Sequence, residues 1–357
     1  MTNRRVNCCC IVNKVIVIGR INRGHLPIGG ETAKNQLLVS VLQKYVDVIA
    51  LDFYRNKQRP WVYLQTLWAL FRYPDASIIL STTASNIYPL LNAFKTLGIK
   101  RHIIHWIIGG EFDRLVKGGR FNLDVLTVAQ WHLAQSNKMV EELKNCGLKD
   151  VRYVPNFRMI PDISFNKVLR TDENRVRFVF MSRIMKEKGV DVILQCIDTL
   201  NAQSYDNRFK VDFYGYIDES YQKVFRDAIS VMPNAKYKGV LNLKEVSGYE
   251  TLASYDALLF PTFHPSEGIA GTIIDAYIAG IPVIASDWNH NREVVKDGET
   301  GIIVPAHNKE ALYKVMKDII EHKIDLTPLA TNAKSESEKY KAENVLNEVF
   351  LKEIGIL

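Results

Sequence analysis

Short apolar runs alternate with longer amphipathic stretches along most of the chain. Two amphipathic stretches in the first part, ETAKNQLLVSVLQKY and KMVEELKNCG, have helical spacing, and the second ends at Gly147 as a helix C-cap would. Between such stretches, β-branched runs predict buried strands of a parallel sheet: KVIVIG (14–19), VDVIAL (46–51), SIILS (77–81), HIIHWII (102–108) and HLAQS (132–136). The pattern predicts a Rossmann-like β/α domain over residues 14–157.

The same alternation restarts after a break. Residues 154–175 contain two prolines, little periodicity and many polar side chains, which predicts an interdomain linker at 158–175. Six further strands are predicted: VRFVFMS (176–182), FKVDFYG (209–215), AKYKG (235–239), DALLFP (256–261), PVIAS (282–286) and GIIVP (301–305). We therefore expect an α/β protein in which a second doubly wound domain, over 176–330, faces the first across a cleft.

The two ends of the chain lie outside these domains. Residues 1–13 precede the first strand and are expected to form a disordered extension. Three of the five cysteines, Cys8 to Cys10, lie there; this spacing fits neither disulfides nor zinc, and leaves reduced thiols or a lipidation site as alternatives. Residues 331–357 predict a C-terminal helix that packs on either domain, including a return to the N-terminal one.

The composition fits an ordinary globular protein of two domains, with 357 residues, 47% of them hydrophobic and 24% charged. No apolar run approaches the roughly 18–20 residues of a membrane-spanning helix. The N-terminal apolar stretch is too short for a signal peptide. We expect a cytoplasmic protein that reaches the inner face of the plasma membrane.

The charge is unevenly distributed. Residues 1–155 hold 21 Lys and Arg against 10 Asp and Glu (+11), and the rest hold 25 against 29 (−4), which together give +7. A basic first half favours an anionic membrane surface or a phosphate-bearing acceptor. Aromatic and cationic residues interleave at 53–74, although Trp61, Trp68 and Phe71 could equally form helix core. No nucleic-acid partner is expected, because the chain lacks zinc-finger spacing, an RNA-recognition motif and a dense basic run.

Two stretches carry candidate chemistry. In FVFMSRIMKEKGVDVILQCI, Arg183 and Lys188 follow a buried strand and precede a helix that starts near Gly189 to Asp191. Two cations at a helix N-terminus suit a diphosphate, whereas the alternative is a pair of solvated loop cations.

In HPSEGIAGTIIDAYIAGIPVIAS, Glu267 and Asp275 lie eight residues apart around a turn of small residues, namely Gly268, Ala270 and Gly271. Small residues let backbone amides approach a ligand, while the carboxylates can accept hydrogen bonds from hydroxyls. The alternatives are a capping box of Thr272 with Asp275 and a surface role for Glu267. A ligand with hydroxyls at one end and phosphates in the middle fits, as in a nucleotide sugar.

The stretches HPSEGIAGTIIDAYIAGIPVIASDWNHNREVVKDGETGIIV and FMSRIMKEKGVD resemble glycosyltransferase family 4, whose members carry a Glu-x7-Glu motif; the similarity extends over nearly the whole chain. The resemblance implies the GT-B fold and sugar transfer from a nucleotide donor with retention of configuration. By position, it implies that Glu267 contacts the donor hexose and Asp275 the ribose, while Arg183 and Lys188 hold the diphosphate and stabilise the leaving nucleotide. The amides of Ile269, Ala270 and Gly271 would assist, and no metal or other cofactor is implied.

The sequence departs from the family pattern at several positions. Asp275 is one methylene shorter than the usual Glu, Ile269-Ala270 replaces Phe-Gly, and Asn289 to Asn291 replace a Gly-Gly region. Glu293 occupies a position that is often acidic, with a helix-start role as the alternative.

The first domain offers fewer candidates. Gly29 and Gly30 resemble the family loop that lies over the donor, with an ordinary tight turn as the alternative. In HIIHWIIGGEF, His105 is the candidate near the donor sugar and the acceptor, followed by Glu111, although a core histidine is the alternative.

The sequence thus predicts a retaining glycosyltransferase that uses a glycan or polyprenyl-diphosphate-linked acceptor in bacterial surface polysaccharide synthesis. A nucleotide-sugar isomerase or epimerase of the same fold and a catalytically degenerate partner subunit are the alternatives.

Overall fold

A computed structural model describes residues 13–27, 29–160 and 175–357 of the chain. The predicted extension at 1–13, apart from Asn13, and most of the predicted linker lie outside the described residues. The strands are β1 (Lys14–Gly19), β2 (Asp47–Asp52), β3 (Ser77–Thr83), β4 (Ile103–Ile108), β5 (Trp131–Ala134), β6 (Val151–Tyr153), β7 (Val176–Met181), β8 (Phe209–Tyr214), β9 (Ala235–Tyr237), β10 (Ala257–Phe260), β11 (Val283–Asp287) and β12 (Gly301–Pro305).

The helices alternate with the strands. They are α1 (Gly30–Leu42), α2 (Trp61–Arg72), α3 (Ala84–Thr96), α4 (Phe112–Lys117), α5 (Leu123–Leu126), α6 (Asn137–Asn145), α7 (Val190–Ala202), α8 (Gln222–Ser230), α9 (Val246–Ala253), α10 (Gly271–Ile278), α11 (Asn291–Val294), α12 (Lys309–Ile320), α13 (Thr327–Glu336), α14 (Ala342–Val345) and α15 (Glu348–Glu353). Short 3-10 turns cover Asn56–Gln58, Lys186–Lys188 and Ser337–Tyr340.

The first domain is built on a parallel sheet of order β2-β1-β3-β4-β5-β6. Its inner strands β1, β3, β4 and β5 are buried because helices cover both faces, which is why they appear in the sequence as continuous apolar runs. The strand β6 was not predicted: it has three residues, of which only Val151 is buried.

The second domain is built on a parallel sheet of order β12-β11-β10-β7-β8-β9. The strands β7 and β10 are neighbours although they are far apart in sequence, so the strand order reverses between them. Ligands of doubly wound sheets bind at such a reversal, beyond the carboxyl ends of the strands. The loops that follow β7 and β10 carry the two sequence stretches with candidate chemistry. The predicted fold class, two Rossmann-like doubly wound domains, is confirmed.

The C-terminal residues form several short pieces rather than one helix. Extended backbone at Lys341, with ψ near 133°, separates the 3-10 turn from α14. Leu346, Leu351 and Ile354 join the buried cluster that contains β1 and α1 of the first domain. The segment that leaves the first domain also pairs with the C-terminal segment that returns to it. Arg158 N donates to Tyr340 O, and Ala342 N donates to Arg158 O, each at 2.8 Å. The C-terminal segment therefore packs on the first domain.

Candidate active site

The two sequence stretches meet at one ion pair. The Lys188 ammonium contacts Oε2 of Glu267, and the Thr262 hydroxyl donates to the same oxygen at 2.9 Å. Both charged side chains are largely buried, with 14% and 10% exposed. Among the described residues nothing donates to Oε1 of Glu267, so this oxygen can accept a hydrogen bond from a hydroxyl. Lys188 has three N–H donors and keeps donors for a second anion.

The loop that carries Glu267 is held from both domains. Gly110 N of the first domain donates to Ser266 O at 3.1 Å, and Arg114 Nη2 donates to Pro265 O at 2.5 Å. Asn289 Nδ2 donates to Glu267 O at 3.0 Å and also contacts Pro265 O. Asn289, noted in the sequence only as a departure from the family pattern, therefore fixes the backbone of Glu267.

Glycines allow the two domains to touch at this loop. A Cβ added at Gly110 would lie 2.0 Å from Glu267 O, and one at Gly268 would lie 3.2 Å from Gly109 C. The close approach requires glycine at position 110, where any side chain would push the loops apart, whereas position 268 is tight but less strictly limited.

Arg183 lies across the cleft from the first domain. It follows β7 and is exposed, and its Nη2 lies 3.4 Å from the position that a Cβ of Gly29 would take. Gly29 is the N-cap of α1, and Gly30 is its first residue. The structure thus brings Arg183 together with the predicted Gly29 and Gly30 loop, while their contact with a donor stays a prediction.

His264 lies in the loop that carries Glu267, two residues after Thr262. Burial, followed by the charge of Lys188, lowers the pKa of His264. Its backbone oxygen accepts a hydrogen bond from Trp288 Nε1 at 2.8 Å. The imidazole of His264 is therefore neutral and adds no positive charge to those of Lys188 and Arg183.

The helix α10 begins at Gly271, after Ala270 as N-cap. The capping box that was the alternative for Thr272 and Asp275 is absent: the Thr272 hydroxyl donates instead to Met181 O at 2.8 Å, which ties the start of α10 to the end of β7. Ile269 and Ala270 are nearly buried. An anion-binding role for the amides of 269–271 stays a prediction.

Asp275 has partners other than the predicted ribose. Its carboxylate accepts from Arg158 Nε at 2.6 Å, from Arg158 Nη2 at 3.1 Å and from the Tyr249 hydroxyl at 3.0 Å. The carboxylate is buried in this bidentate pair. A ribose would have to compete with Arg158 for this carboxylate. The sequence did not predict the ion pair with Arg158, and the ribose contact stays a prediction.

His105 is a core residue. Its side chain is fully buried, its ring packs against Phe112 with centroids 4.8 Å apart, and Nδ1 lies 3.0 Å from Nδ1 of His132. Burial and the neighbouring His132 hold the pKa of His105 well below its usual range, so the ring is neutral. The structure thus favours the alternative, a core histidine, over the candidate catalytic role, because the His105 side chain has no exposed surface. Glu111 lies at the N-cap of α4, next in the chain to Gly110, which contacts the loop that carries Glu267.

Glu293 links the two domains. Its carboxylate accepts from Asn137 N at 2.7 Å, at the start of α6, and pairs with His290 at 3.1 Å. Ser136 in turn lies 3.0 Å from His290. Burial alone would raise the pKa of Glu293, but the hydrogen bonds from His290, Ser136 and Asn137 lower it. Glu293 thus stabilises the closed arrangement of the domains.

Two cations near the site were missed in the sequence. Arg158 follows Asn156 in the chain segment that leaves the first domain, and no spacing rule connects it to Asp275. Lys34 lies on α1, and its position one turn before the buried Leu38 was a detectable sign that it faces inward. No cluster of His, Cys, Asp or Glu among the described residues could hold a metal ion.

Comparison with known proteins finds a family match over the second domain. Residues 162–338 match the family described as glycosyl transferases group 1. A Klebsiella pneumoniae protein described as an uncharacterized 41.2 kDa protein in the cps region is 28% identical over 177 residues, which cover 49% of this chain and 45% of that protein. The amylovoran biosynthesis glycosyltransferase AmsK of Erwinia amylovora is 24% identical over 181 residues, which cover 49% and 44%. The chain spans about half the length of these curated relatives.

Solved structures extend the likeness to both domains. Anabaena Alr3699/HepE, solved in complex with UDP and glucose, covers 97% of this chain and 100% of its own, with a TM-score of 0.68 and 15% identity. This likeness shows that the two sheets are arranged as in GT-B glycosyltransferases. The family match supports the glycosyltransferase resemblance that the sequence motifs indicated.

Proposed function

We propose that this chain is a retaining glycosyltransferase of family 4 that moves a hexose from a nucleoside diphosphate sugar to a glycan or a polyprenyl-diphosphate-linked acceptor. The setting that we propose is the synthesis of a bacterial surface polysaccharide. The naming of AmsK for amylovoran biosynthesis and the cps-region relative support this setting. The complex of HepE with UDP and glucose supports a nucleotide-sugar donor.

The observation that carries the proposal is the ion pair of Lys188 with Glu267 at the reversal of the second sheet. Glu267 keeps one oxygen for a sugar hydroxyl, and Lys188 keeps donors for a phosphate. A ligand that satisfies both must carry a hydroxyl and a phosphate a few ångströms apart. A sugar joined to a diphosphate has this arrangement.

The proposed chemistry is stabilisation of the departing nucleotide. When the bond between the anomeric carbon and the diphosphate oxygen breaks, negative charge grows on that oxygen. Arg183 and Lys188 would neutralise it from the loop after β7, and fixed charges of this kind supply much of an enzyme's rate acceleration. The two cations would take the part that a divalent metal plays elsewhere, which supports a metal-independent reaction. We assign no general base.

The acceptor side of the proposal rests on α2. Only a narrow stripe of this helix, Val62, Thr66 and Ala69, is buried. The opposite face exposes large apolar side chains, namely Trp61, Leu64, Leu67, Trp68 and Phe71, the last with 87% of its surface exposed. Cations flank this face at Lys57, Arg59 and Arg72. We propose that the α2 face binds an anionic membrane and brings the cleft to a lipid-linked acceptor.

The test is a turnover screen of the full chain over common nucleotide sugars, with a polyprenyl-diphosphate-linked sugar as acceptor and NMR to read the new anomeric linkage. The proposal expects product only when both substrates are present, with the configuration of the donor. A product from donor alone would indicate an isomerase instead. No turnover and no binding of any nucleoside diphosphate would favour a non-catalytic partner subunit.

A further inference from the structure

A second cationic centre lies behind the predicted diphosphate site. The Lys34 side chain enters the interior from α1 and is only 5% exposed. Its Nζ has no hydrogen-bond partner among the described residues, and the indole Nε1 of the fully buried Trp106 has none either. The ammonium lies 5.8 Å from the centre of the Trp106 ring. The Lys34 ammonium is thus a buried donor without a hydrogen-bond acceptor among the described residues, which is a costly arrangement.

The guanidinium of Arg158 is the charged neighbour of Lys34. Burial, followed by the charge of Arg158, lowers the pKa of Lys34 to about 7. Asp275 holds Arg158 through Nε and Nη2, and Phe157 O accepts from Nη1 at 2.9 Å. Three of the five guanidinium N–H groups are then used, and two remain. Asp275 balances one of the two positive charges.

Arg158 also lies against the start of α10. Its Nη2 lies 1.7 Å from the position that a Cβ of Gly271 would take, so the two could not be present together. The helix N-terminus adds its own partial positive charge and unpaired amides at this point. The hydrogen bond from Thr272 to Met181 O places the same point beside the end of β7, two residues before Arg183. Arg158 therefore adjoins the end of β7, and its charged neighbour Lys34 lies one turn after Gly30 on α1.

We propose that Lys34 and Arg158 form an additional anion site that binds a phosphate group at the interdomain cleft. The phosphate comes either from the donor diphosphate or from a phosphate of the acceptor, and this choice of sources rests on the proposed function. Gly271 is required because it leaves room for the guanidinium. The unpaired charge of Lys34 stays destabilising until the anion arrives.

The test uses inorganic pyrophosphate, which contains the proposed ligand chemistry without a base or a sugar. Calorimetric titration of the full chain is compared with Lys34→Met, which keeps the length of the side chain without its charge. Lys44→Met, on the exposed side just after α1, is the matched control. We expect Lys34→Met to weaken pyrophosphate binding roughly 10- to 100-fold, as loss of a charge-assisted hydrogen bond does. Lys44→Met is expected to bind like the unmodified chain.

Thermal unfolding gives a second readout. Without ligand, Lys34→Met is expected to raise Tm because it removes an unpaired buried charge, and pyrophosphate is expected to raise Tm less in this variant than in the unmodified chain. Lys34→Arg keeps the charge and is expected to retain binding. A Lys34→Met protein that is destabilised but binds pyrophosphate normally would show a packing role and overturn the proposal, as would an unmodified chain that binds no pyrophosphate.

Further titrations separate the two sources. If the donor supplies the phosphate, Lys34→Met weakens binding of UDP and of the other nucleoside diphosphates but leaves binding of uridine unchanged. If the acceptor supplies it, nucleoside diphosphate affinity is unchanged and the KM for the lipid diphosphate rises. Pyrophosphate binding that depends on Lys34 in a chain that binds no nucleotide would keep the anion site and reject the glycosyltransferase proposal. Normal turnover with unchanged affinities in Lys34→Met would reject the anion site and keep the glycosyltransferase proposal.

Discussion

At the scale of single residues, Lys188 and Glu267 are coupled because each neutralises the other in a largely buried position. Removing one partner leaves an uncompensated charge, which typically costs about 3–5 kcal/mol. We expect Lys188→Met and Glu267→Gln each to destabilise the chain, and the double variant to recover most of that loss. Urea unfolding of the four proteins measures the coupling. Strictly additive losses in the double variant would show that the two charges do not interact.

The same variants separate stability from chemistry. Although the double variant is expected to be stable, it lacks both the phosphate cation and the sugar carboxylate. Turnover should fall by about 10²–10³ for Lys188→Met alone and not recover in the double variant, because loss of one transition-state contact has this magnitude. Steady-state kinetics with the active donor provides the measurement, and near-normal turnover in Lys188→Met would contradict the assigned role.

The buried Lys34 is expected to make the stability of the folded chain depend on pH. Its pKa is about 7 in the folded chain and about 10.4 when unfolded. The unfolded state therefore binds more protons between these values, so the stability of the folded chain rises with pH across this window. We expect Lys34→Met to be more stable than the unmodified chain at pH 6, and the difference to shrink towards pH 10. Urea titrations at several pH values measure it, and a difference independent of pH would show that Lys34 does not titrate there.

The sequence predicted local motifs better than distant partners. Arg183, Lys188 and Glu267 could be placed at a sheet edge because each lies in a strand-to-loop pattern. The surroundings of Asp275 and His105 could not be predicted because tertiary neighbours decide them: Arg158 arrives from a segment 117 residues away in sequence. Burial of His105 by Phe112 also depends on a helix that the sequence did not delimit.

At the scale of elements, continuous apolar runs located β1 and β12 to the residue and most other strands to within two residues. Burial on both sheet faces gives such runs a strong pattern. The strand β6 was missed because three residues are too few for a period. The broken C-terminal segment was missed because α13 packs on the second domain, whereas α14 and α15 pack on the first. In helix α2 apolar residues do not mark the core, because most of its large apolar side chains face outwards.

The exposed face of α2 predicts membrane binding. We expect the full chain to sediment with vesicles that contain anionic phospholipid, less so at high salt, because apolar insertion and charge attraction act together. Trp68→Glu with Phe71→Glu should reduce the bound fraction by about tenfold. Val349→Glu, an exposed apolar residue on α15, is the matched control.

Two results would argue against the membrane role of α2. The first is equal sedimentation of the double variant and the Val349→Glu control. The second is a stable dimer, detected by light scattering, that the Trp68 and Phe71 substitutions dissociate. That dimer would mean that a second copy of the chain covers the apolar face.

At the scale of the whole molecule, the domains are held closed by polar contacts grouped at the ends of the sheets. Gly110 and Arg114 bind the Glu267 loop, and Glu293 binds the start of α6. These contacts are few and hydrophilic, which is typical of domains that move relative to each other. Opening the cleft would give a ligand access to Lys188 and to the buried Lys34.

Gly110 offers a test of closure. Gly110→Ala would place a Cβ 2.0 Å from Glu267 O, so the closed arrangement cannot form without displacement of the loop. We expect each domain to stay folded, turnover to fall at least tenfold, and small-angle scattering to report a larger radius of gyration. An unchanged radius with normal turnover would show that contact at this loop is dispensable.

The most direct test of the central claim is a crystal structure of the chain with its active nucleotide sugar. We expect the diphosphate to lie between Arg183 and Lys188 and a sugar hydroxyl to donate to Oε1 of Glu267. A donor bound away from the reversal between β7 and β10, or one that leaves the Lys188 and Glu267 pair untouched, would contradict it.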